Sequence, residues 1–259
     1  MATFPDIQKV LVIPDTQIRE GVPTEHLTWI SKYAVEKQPD AIIHLGDHWD
    51  MPSLSSYDFG TKSFEGRRYK KDIEAGNEAI KLITAELDTY NERQRKNGKK
   101  QYKPYKWYLD GNHDQRITRA VNSDPKLDGT IGLSDRDLTG WTNIPFLEPL
   151  IVNDVVFCHY LVSGVMGRPI TTAQALLTKK HQSCVVGHQQ GRAVATGSKA
   201  DGSQITGIIA GSCYLHDEEY MGIQGNKHWR GVVMLNELQD GHFDEMFVSL
   251  NYLRKKYND

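Results

Sequence analysis

The chain has 259 residues and carries 31 Lys+Arg against 33 Asp+Glu, a formal net charge of −2. That length can bury a substantial core, and 39% hydrophobic with 25% charged residues excludes a disordered chain. The near-neutral balance excludes a globally cationic coat for nucleic acid, though not a local basic groove.

Along the chain, residues 1–6 (MATFPD) lack the basic, apolar and small-residue regions of a signal peptide. Val10-Leu11-Val12-Ile13 reads as a buried strand stopped by Pro14-Asp15. Thr24 is placed to cap a helix running to about Lys37, with Leu27, Ile30 and Ala34 at helical spacing. Pro39 ends it, and 41–45 forms the next strand, closed by Gly46-Asp47. A helix over 70–91 follows from Ile73, Ile80, Ile83, Leu87 and Tyr90. The basic run 91–104 reads as a solvated helix end and loop, with contact to a phosphate backbone as the sharper alternative.

Trp107-Tyr108-Leu109 is a third strand, and further strands are expected at 155–159, 183–186, 205–210, 231–236 and 243–250. Two irregular stretches, 51–69 and 122–149, interrupt them. Cys158, Cys184 and Cys213 are odd in number and widely spaced, which argues for free thiols in a reducing compartment. No apolar run approaches the roughly 20 residues of a membrane span. With no repeat or linker-like tract, one domain over 1–259 and a cytoplasmic location are expected.

Polar residues collect where the strands end: Asp15-Thr16-Gln17, Gly46-Asp47-His48-Trp49-Asp50, Gly111-Asn112-His113-Asp114, His159, and Gly187-His188-Gln189-Gln190. Loops at strand ends converge in layered α/β folds. Carboxylates mixed with imidazoles and an amide oxygen suit divalent Mn, Fe, Zn or Mg. A glycine just before Asp47, Asn112 and His188 is expected to let the backbone turn sharply there.

These five blocks, in this order, resemble the calcineurin-like metallophosphoesterases, whose pattern is D-x-H, G-D-x-x-D, G-N-H-[DE], an isolated His, then G-H-x-H. The tail GSCYLHDEEYMGIQGNKHWRG also resembles bacteriophage-encoded members. The resemblance implies a four-layer αββα sandwich of two mixed β-sheets flanked by helices, holding a binuclear metal centre. It implies that Asp47 bridges two metals, that Asn112, His159 and His188 complete one site, and that Asp15 belongs to the other. It also implies that His113 is the general acid, oriented by Asp50. Where the family has histidine at the remaining two positions of the Asp15 site, this chain has Gln17 and Gln190. Both departures fall on one metal, leaving a site rebuilt with amide oxygens or weak for metal. Manganese is the expected ion, with Mg, Zn, Fe and Ca as alternatives.

Arg116 and Arg119 lie three residues apart on a helix expected after GNHD and are candidate phosphate ligands, as are His48 and Arg168. His44 reads as a core histidine and Asp114 as a local structural partner or helix cap. Residues 63–71 interleave basic and aromatic side chains in a manner suited to nucleic acid, and Tyr214, His216, His228 and Trp229 are candidates for the cleft rim. The expected activity is hydrolysis of phosphodiesters, with nucleic acid or a nucleotide as substrate. The alternatives are a phosphomonoesterase or small-nucleotide hydrolase, and a catalytically silent metal-binding protein that recognises nucleic acid or a partner.

Overall fold

The structure is a computed structural model that describes residues 4, 6–56, 60 and 64–258. Met1, Ala2, Thr3 and Pro5 of the N-terminal run, and Ser63 of the basic–aromatic run, lie outside the described residues. The first half contains β1 (Val10–Ile13), α1 (Glu25–Lys37), β2 (Ala41–His44), α2 (Tyr69–Lys96), β3 (Tyr105–Leu109), α3 (Gln115–Ser123) and β4 (Thr142–Ile144). Then come β5 (Leu150–Val152), β6 (Val155–Cys158), α4 (Ala173–Lys180), β7 (Cys184–Val186), β8 (Ala193–Ser198) and β9 (Gln204–Ile209). A short α5 (Gly222–Gly225), β10 (Gly231–Gln239), β11 (His242–Ser249) and α6 (Leu250–Tyr257) complete the order.

The two-residue period of the strands sorts their side chains into separate layers. Leu11 and Ile13 of β1 and Ile42 of β2 pack with Leu27, Ile30, Ile80, Ile83 and Leu253 from α1, α2 and α6. Val10, Val12, Ala41 and Ile43 face the other way, against Val155, Phe157, Val185 and Ile208 of the second sheet. That sheet's outer face, with Val156, Cys184, Val186 and Ile209, is covered by Ala173 and Leu176 of α4. The architecture is therefore helices, sheet, sheet, helix. The first sheet runs β11-β10-β1-β2-β3-β4, parallel from β1 to β4, and the second runs β5-β6-β7-β9-β8 with β6, β7 and β9 parallel. Both sheets are mixed, because antiparallel strands flank each parallel core.

Helix α1 buries Leu27, Ile30 and Ala34 as their spacing requires, and ends in a left-handed Gln38 just before Pro39. Helix α2 runs five residues beyond the expected 91, to Lys96, where an i,i+4 pair of Glu92 with Lys96 at 2.8 Å supports the last turn. The basic run is thus divided between a helix end and the loop after it. Strands β4, β5 and β8 and helices α4 and α6 were not expected from the sequence. Strand β8 (AVATGS) carries little apolar contrast, and α4 and α6 are eight residues each, too short for a clear helical period. No helix among the described residues is long and apolar enough to cross a membrane.

Candidate active site

The parallel strands of both sheets end on one side, and the loops leaving them carry the site. Asp15 and Gln17 follow β1, Asp47 and Asp50 follow β2, Asn112 and His113 follow β3, His159 follows β6, and His188 and Gln190 follow β7. Backbone bonds tie the loops together: Gln17 N–H donates to Asp47 O at 2.9 Å, Cys213 N–H to Asp15 O at 2.7 Å, and Gly187 N–H to His159 O at 2.9 Å. Gln17, Asp47 and His188 all have left-handed backbone, with φ of 43°, 50° and 65°. Such conformations cost about 1–3 kcal/mol each and persist where the surroundings over-determine them.

The glycines act differently from one another. Gly46 takes the expected left-handed turn, with φ of 96°. Gly111 and Gly187 do not; each is required by close approach, since a Cβ would lie 2.1 Å from Asp47 Oδ1 at Gly111 and 2.6 Å from Asp15 Oδ1 at Gly187.

Asp47, His159 and His188 each offer a ligand atom within 4.8 Å of the others. His159 Nε2 lies 3.3 Å from Asp47 Oδ2 and 2.8 Å from Asn112 Oδ1, and its Nδ1 donates to Leu45 O at 2.7 Å, which turns Nε2 inward. Burial works against charge on both partners of the Asp47–His159 pair, yet their attraction outweighs it. His159 is raised to about 9, and Asp47 is held well below the usual carboxylate range. Burial, reinforced by the neighbouring His159 charge and opposed by Asp47, lowers His188 to about 4, an imidazole ready to bind metal without losing a proton.

Asp15 is fully buried, and its carboxyl is raised to about 6 by that burial. His188 N–H donates to its Oδ1 at 3.0 Å and Gln190 Nε2–H to its Oδ2 at 3.2 Å. The other amide atoms are left over: Gln17 Oε1 and Gln190 Oε1 are buried with no hydrogen-bond partner among the described residues. An unbonded buried acceptor costs about 1–3 kcal/mol. Two of them beside a buried carboxylate fit a cation, so the donor set of both half-sites is compatible with metal.

His113 Nδ1 meets Asp50 Oδ1 at 2.7 Å, and its backbone N–H donates to Asp47 Oδ1 at 2.8 Å. Its Nε2 is 3.8 Å from Asp47 Oδ2 and 3.2 Å from Arg116 NH2. Burial lowers the imidazole, but Asp47 and Asp50 together raise it above its ordinary value. These groups open into a cavity of ≈ 1130 Å³, lined among others by Gln17, Asp47, Asp50, His113, His188 and Gln190.

Of the other candidates, Arg116 lines the cavity, with NH1 donating to Asp50 O at 2.8 Å. Arg119 is exposed and bonds Asn112 O at 2.8 Å, and Arg168 is exposed on the loop after His159; neither lines the cavity. His48 is fully buried and is corrected from substrate ligand to core. Its Nε2–H donates to Gly76 O at 3.0 Å, and its Nδ1 accepts from Thr16 Oγ1 at 2.7 Å. Thr16 in turn accepts from His44 Nε2 at 3.1 Å, because His44 Nδ1 already takes the Gly46 N–H. Asp114 is a structural partner but not a cap. It accepts from Tyr108 OH, Gly111 N–H and Asp47 N–H, and pairs with Arg136 at 3.1 Å.

Sequence reasoning missed Arg19 and Glu218. Arg19 NH1 joins Asp50 Oδ2 at 2.9 Å to Glu218 Oε1 at 2.8 Å, with His216 Nε2 at 3.2 Å. Arg19 sits four residues after Asp15 in the same loop, a placement that a charge census of strand-end loops would have picked out. Tyr220, on the same segment as Glu218, brings its hydroxyl to the Gln17 side chain.

No protein-family profile matches the chain. A stretch of 67 residues is 37% identical to the Gene 54 protein of Mycobacterium phage L5, covering 26% of this chain and 26% of that protein. The match therefore spans about a quarter of that relative's length. Among solved structures, a conserved uncharacterized protein from Streptococcus pneumoniae TIGR4, titled a predicted phosphoesterase, aligns over 97% of this chain and 92% of its own, at 12% identity and a TM-score of 0.39. Neither similarity supplies the chemistry, which rests on the residues of the site.

Proposed function

We propose that the protein is a metal-dependent phosphoesterase acting on phosphodiesters, with nucleic acid or a nucleotide as the substrate class. The observation that carries this reading is His113, held by Asp50 at the wall of a cavity it shares with the Asp47–His159–His188 cluster. Asp47, Asn112, His159 and His188 would hold one divalent ion, and Asp15, Gln17, Asp47 and Gln190 a second, with manganese as the leading candidate. When bound, such ions lower the pKa of water and neutralise charge on phosphoryl oxygens.

The chain's own groups do the rest. Asp50 accepts the Nδ1 proton of His113, which leaves Nε2 on the cavity side to protonate the leaving oxygen. Arg116 NH2 lies 3.2 Å from Nε2, and its planar donors suit the nonbridging oxygens of a phosphoryl group. The diester preference is supported by Arg67, Arg68 and Arg116 along a cavity of ≈ 1130 Å³, which leaves room for groups on both sides of phosphorus.

The test is hydrolysis of a chromogenic phosphodiester and its monoester counterpart by metal-stripped protein resupplied with Mn, Mg, Zn or Ca. Turnover is expected only with metal and to be faster on the diester, and His113→Ala should lower it by about 10²–10⁴-fold with metal content intact. Faster monoester cleavage would make the protein a phosphomonoesterase. Bound metal without turnover on either substrate would leave a silent metal-binding protein.

A further inference from the structure

We infer that Asp15, Gln17 and Gln190 form an oxygen-only cation pocket that favours a hard divalent ion, Mn²⁺ or Mg²⁺, and discriminates against zinc relative to the neighbouring nitrogen-containing pocket at Asp47, His159 and His188. The inference rests on the metal-binding half of the proposed function and is independent of its hydrolytic half.

The Asp15 carboxylate is fully buried, receives only a backbone N–H and the Gln190 amide N–H, and has no ion-pair partner among the described residues. Gln190 gives its nitrogen to Asp15, so its oxygen is the atom left without a partner. Gln17 is 2% exposed, and its Oε1 is likewise unbonded. Buried acceptors are almost always satisfied, and here two amide oxygens lack a partner beside the buried Asp15 carboxylate, which Gln190 itself bonds. A cation answers all three at once, whereas a water bridging both amides would leave the buried carboxylate charge uncompensated.

The backbone adds a separate argument. Gln17 is held in a left-handed conformation at φ 43°, by its N–H on Asp47 O at 2.9 Å, where a glycine or asparagine would fit with less strain. Strain of this kind marks residues whose side chain is needed in place. The ring of His188 belongs to the cluster with Asp47 and His159, so only the backbone N–H of that residue reaches Asp15. What remains for the pocket is carboxylate and amide oxygen, the donor set of Mg²⁺, Mn²⁺ and Ca²⁺; imidazole nitrogen, which favours zinc, is missing from it.

The test is titration of the metal-stripped full chain with MnCl₂ and with ZnCl₂, followed by calorimetry and elemental analysis, with manganese EPR for occupancy. Two Mn²⁺ equivalents are expected, and a second Zn²⁺ equivalent weaker than the first by about 100-fold. Gln17→His with Gln190→His should tighten that second zinc by about 100-fold while moving manganese by less than about threefold. Gln17→Leu should weaken one Mn²⁺ equivalent by about tenfold or more and leave the other. Two equally tight zinc equivalents in the unmodified chain would overturn the inference without recourse to any variant, as would an unchanged manganese isotherm in folded Gln17→Leu. Two bound manganese ions without phosphoesterase turnover would count against the proposed activity and support the pocket. Turnover with two equally tight zincs would do the reverse.

Discussion

Asp50 Oδ1 lies 2.7 Å from His113 Nδ1. The contact fixes which ring nitrogen faces the cavity, and the carboxylate charge, together with that of Asp47, raises the imidazole although burial opposes it. Asp50→Asn keeps an acceptor but removes the charge, so the folded-state pKa of His113 should fall. A general acid works while protonated, so its activity is lost as pH rises through its pKa. The alkaline limb of the kcat/KM profile should therefore move to lower pH in Asp50→Asn, with turnover reduced about 10–100-fold. An unmoved limb would separate His113 from the proton transfer.

The other oxygen of the same carboxylate belongs to Arg19, whose NH1 also holds Glu218. Glu218 and Tyr220 reach the cavity on the segment between β9 and β10, so this guanidinium fastens one cavity wall to the His113–Asp50 pair. Arg19→Gln should speed hydrogen exchange over 216–221 and lower turnover by about tenfold, the scale of one charge-assisted hydrogen bond. Glu218→Gln should act in the same direction. Because both act through the Arg19–Glu218 contact, their effects should fall short of additivity in the double variant. Unchanged exchange would mean that the segment is fixed by Asn226, which bonds Glu218 through both N–H and C=O.

Much of this was readable because strands announce themselves by composition. The runs at 10–13 and 41–45 are β-branched and end in Pro or Gly, so the polar residues after them had to lie at strand ends. The layering of the two sheets was implied by the family resemblance of the five blocks, since strands buried on both faces carry no alternation to read. What could not be read was anything set by packing between distant segments. Arg136 comes from the irregular stretch 122–149, yet it sits nearly fully buried between Asp110 and Asp114, at 2.9 and 3.1 Å, and underpins the Asp47 loop through Asp114. His48 lies between two site residues in sequence but points into the core, because a loop residue beside a left-handed Asp47 takes a direction that spacing does not encode.

Arg136 supports a prediction of its own. Removing one partner from a buried ion pair leaves uncompensated charge and costs about 3–5 kcal/mol. Arg136→Met should lose about that much in urea unfolding and should weaken metal binding through the Asp114–Asp47 N–H contact at 3.2 Å. A loss under 1 kcal/mol, on the order of a surface pair, would mean that the carboxylates are neutral in the folded protein.

Buried histidines, His26 and His48 among them, contribute to the acid limit of stability. Burial lowers His26 to about 3 and His48 to about 4, against 6.5 for the free side chain. The folded state thus binds fewer protons than the unfolded one between these values. The contribution is fully present above pH 6.5 and is lost as pH falls toward 4, by about 3 kcal/mol for each group. Urea midpoints measured from pH 7 to pH 4 should fall, and His26→Phe should flatten the slope. An equally steep fall in that variant would assign the acid sensitivity to other groups.

The two site glycines give the sharpest separation of the half-sites. Neither Gly111 nor Gly187 has a left-handed backbone, so alanine would be limited by space alone. At Gly111 the new methyl would meet Asp47 on both its backbone nitrogen, at 2.4 Å, and its carboxylate, at 2.1 Å. Asp47 would have to move, and since it is the residue common to both proposed sites, Gly111→Ala should lose both metals. At Gly187 the methyl would meet the Asp15 carboxylate at 2.6 Å and Leu45 Cβ at 3.3 Å. The carboxylate displaced there is that of Asp15, so Gly187→Ala should lose the metal of the oxygen-rich pocket and keep the one at Asp47, His159 and His188. Gly164→Ala serves as the control, because a Cβ there meets nothing within 4 Å. Elemental analysis of the three variants after reloading with manganese should give about zero, one and two ions, the number set by which carboxylate is displaced. Equal losses in Gly111→Ala and Gly187→Ala would mean that the two half-sites fill only as a unit.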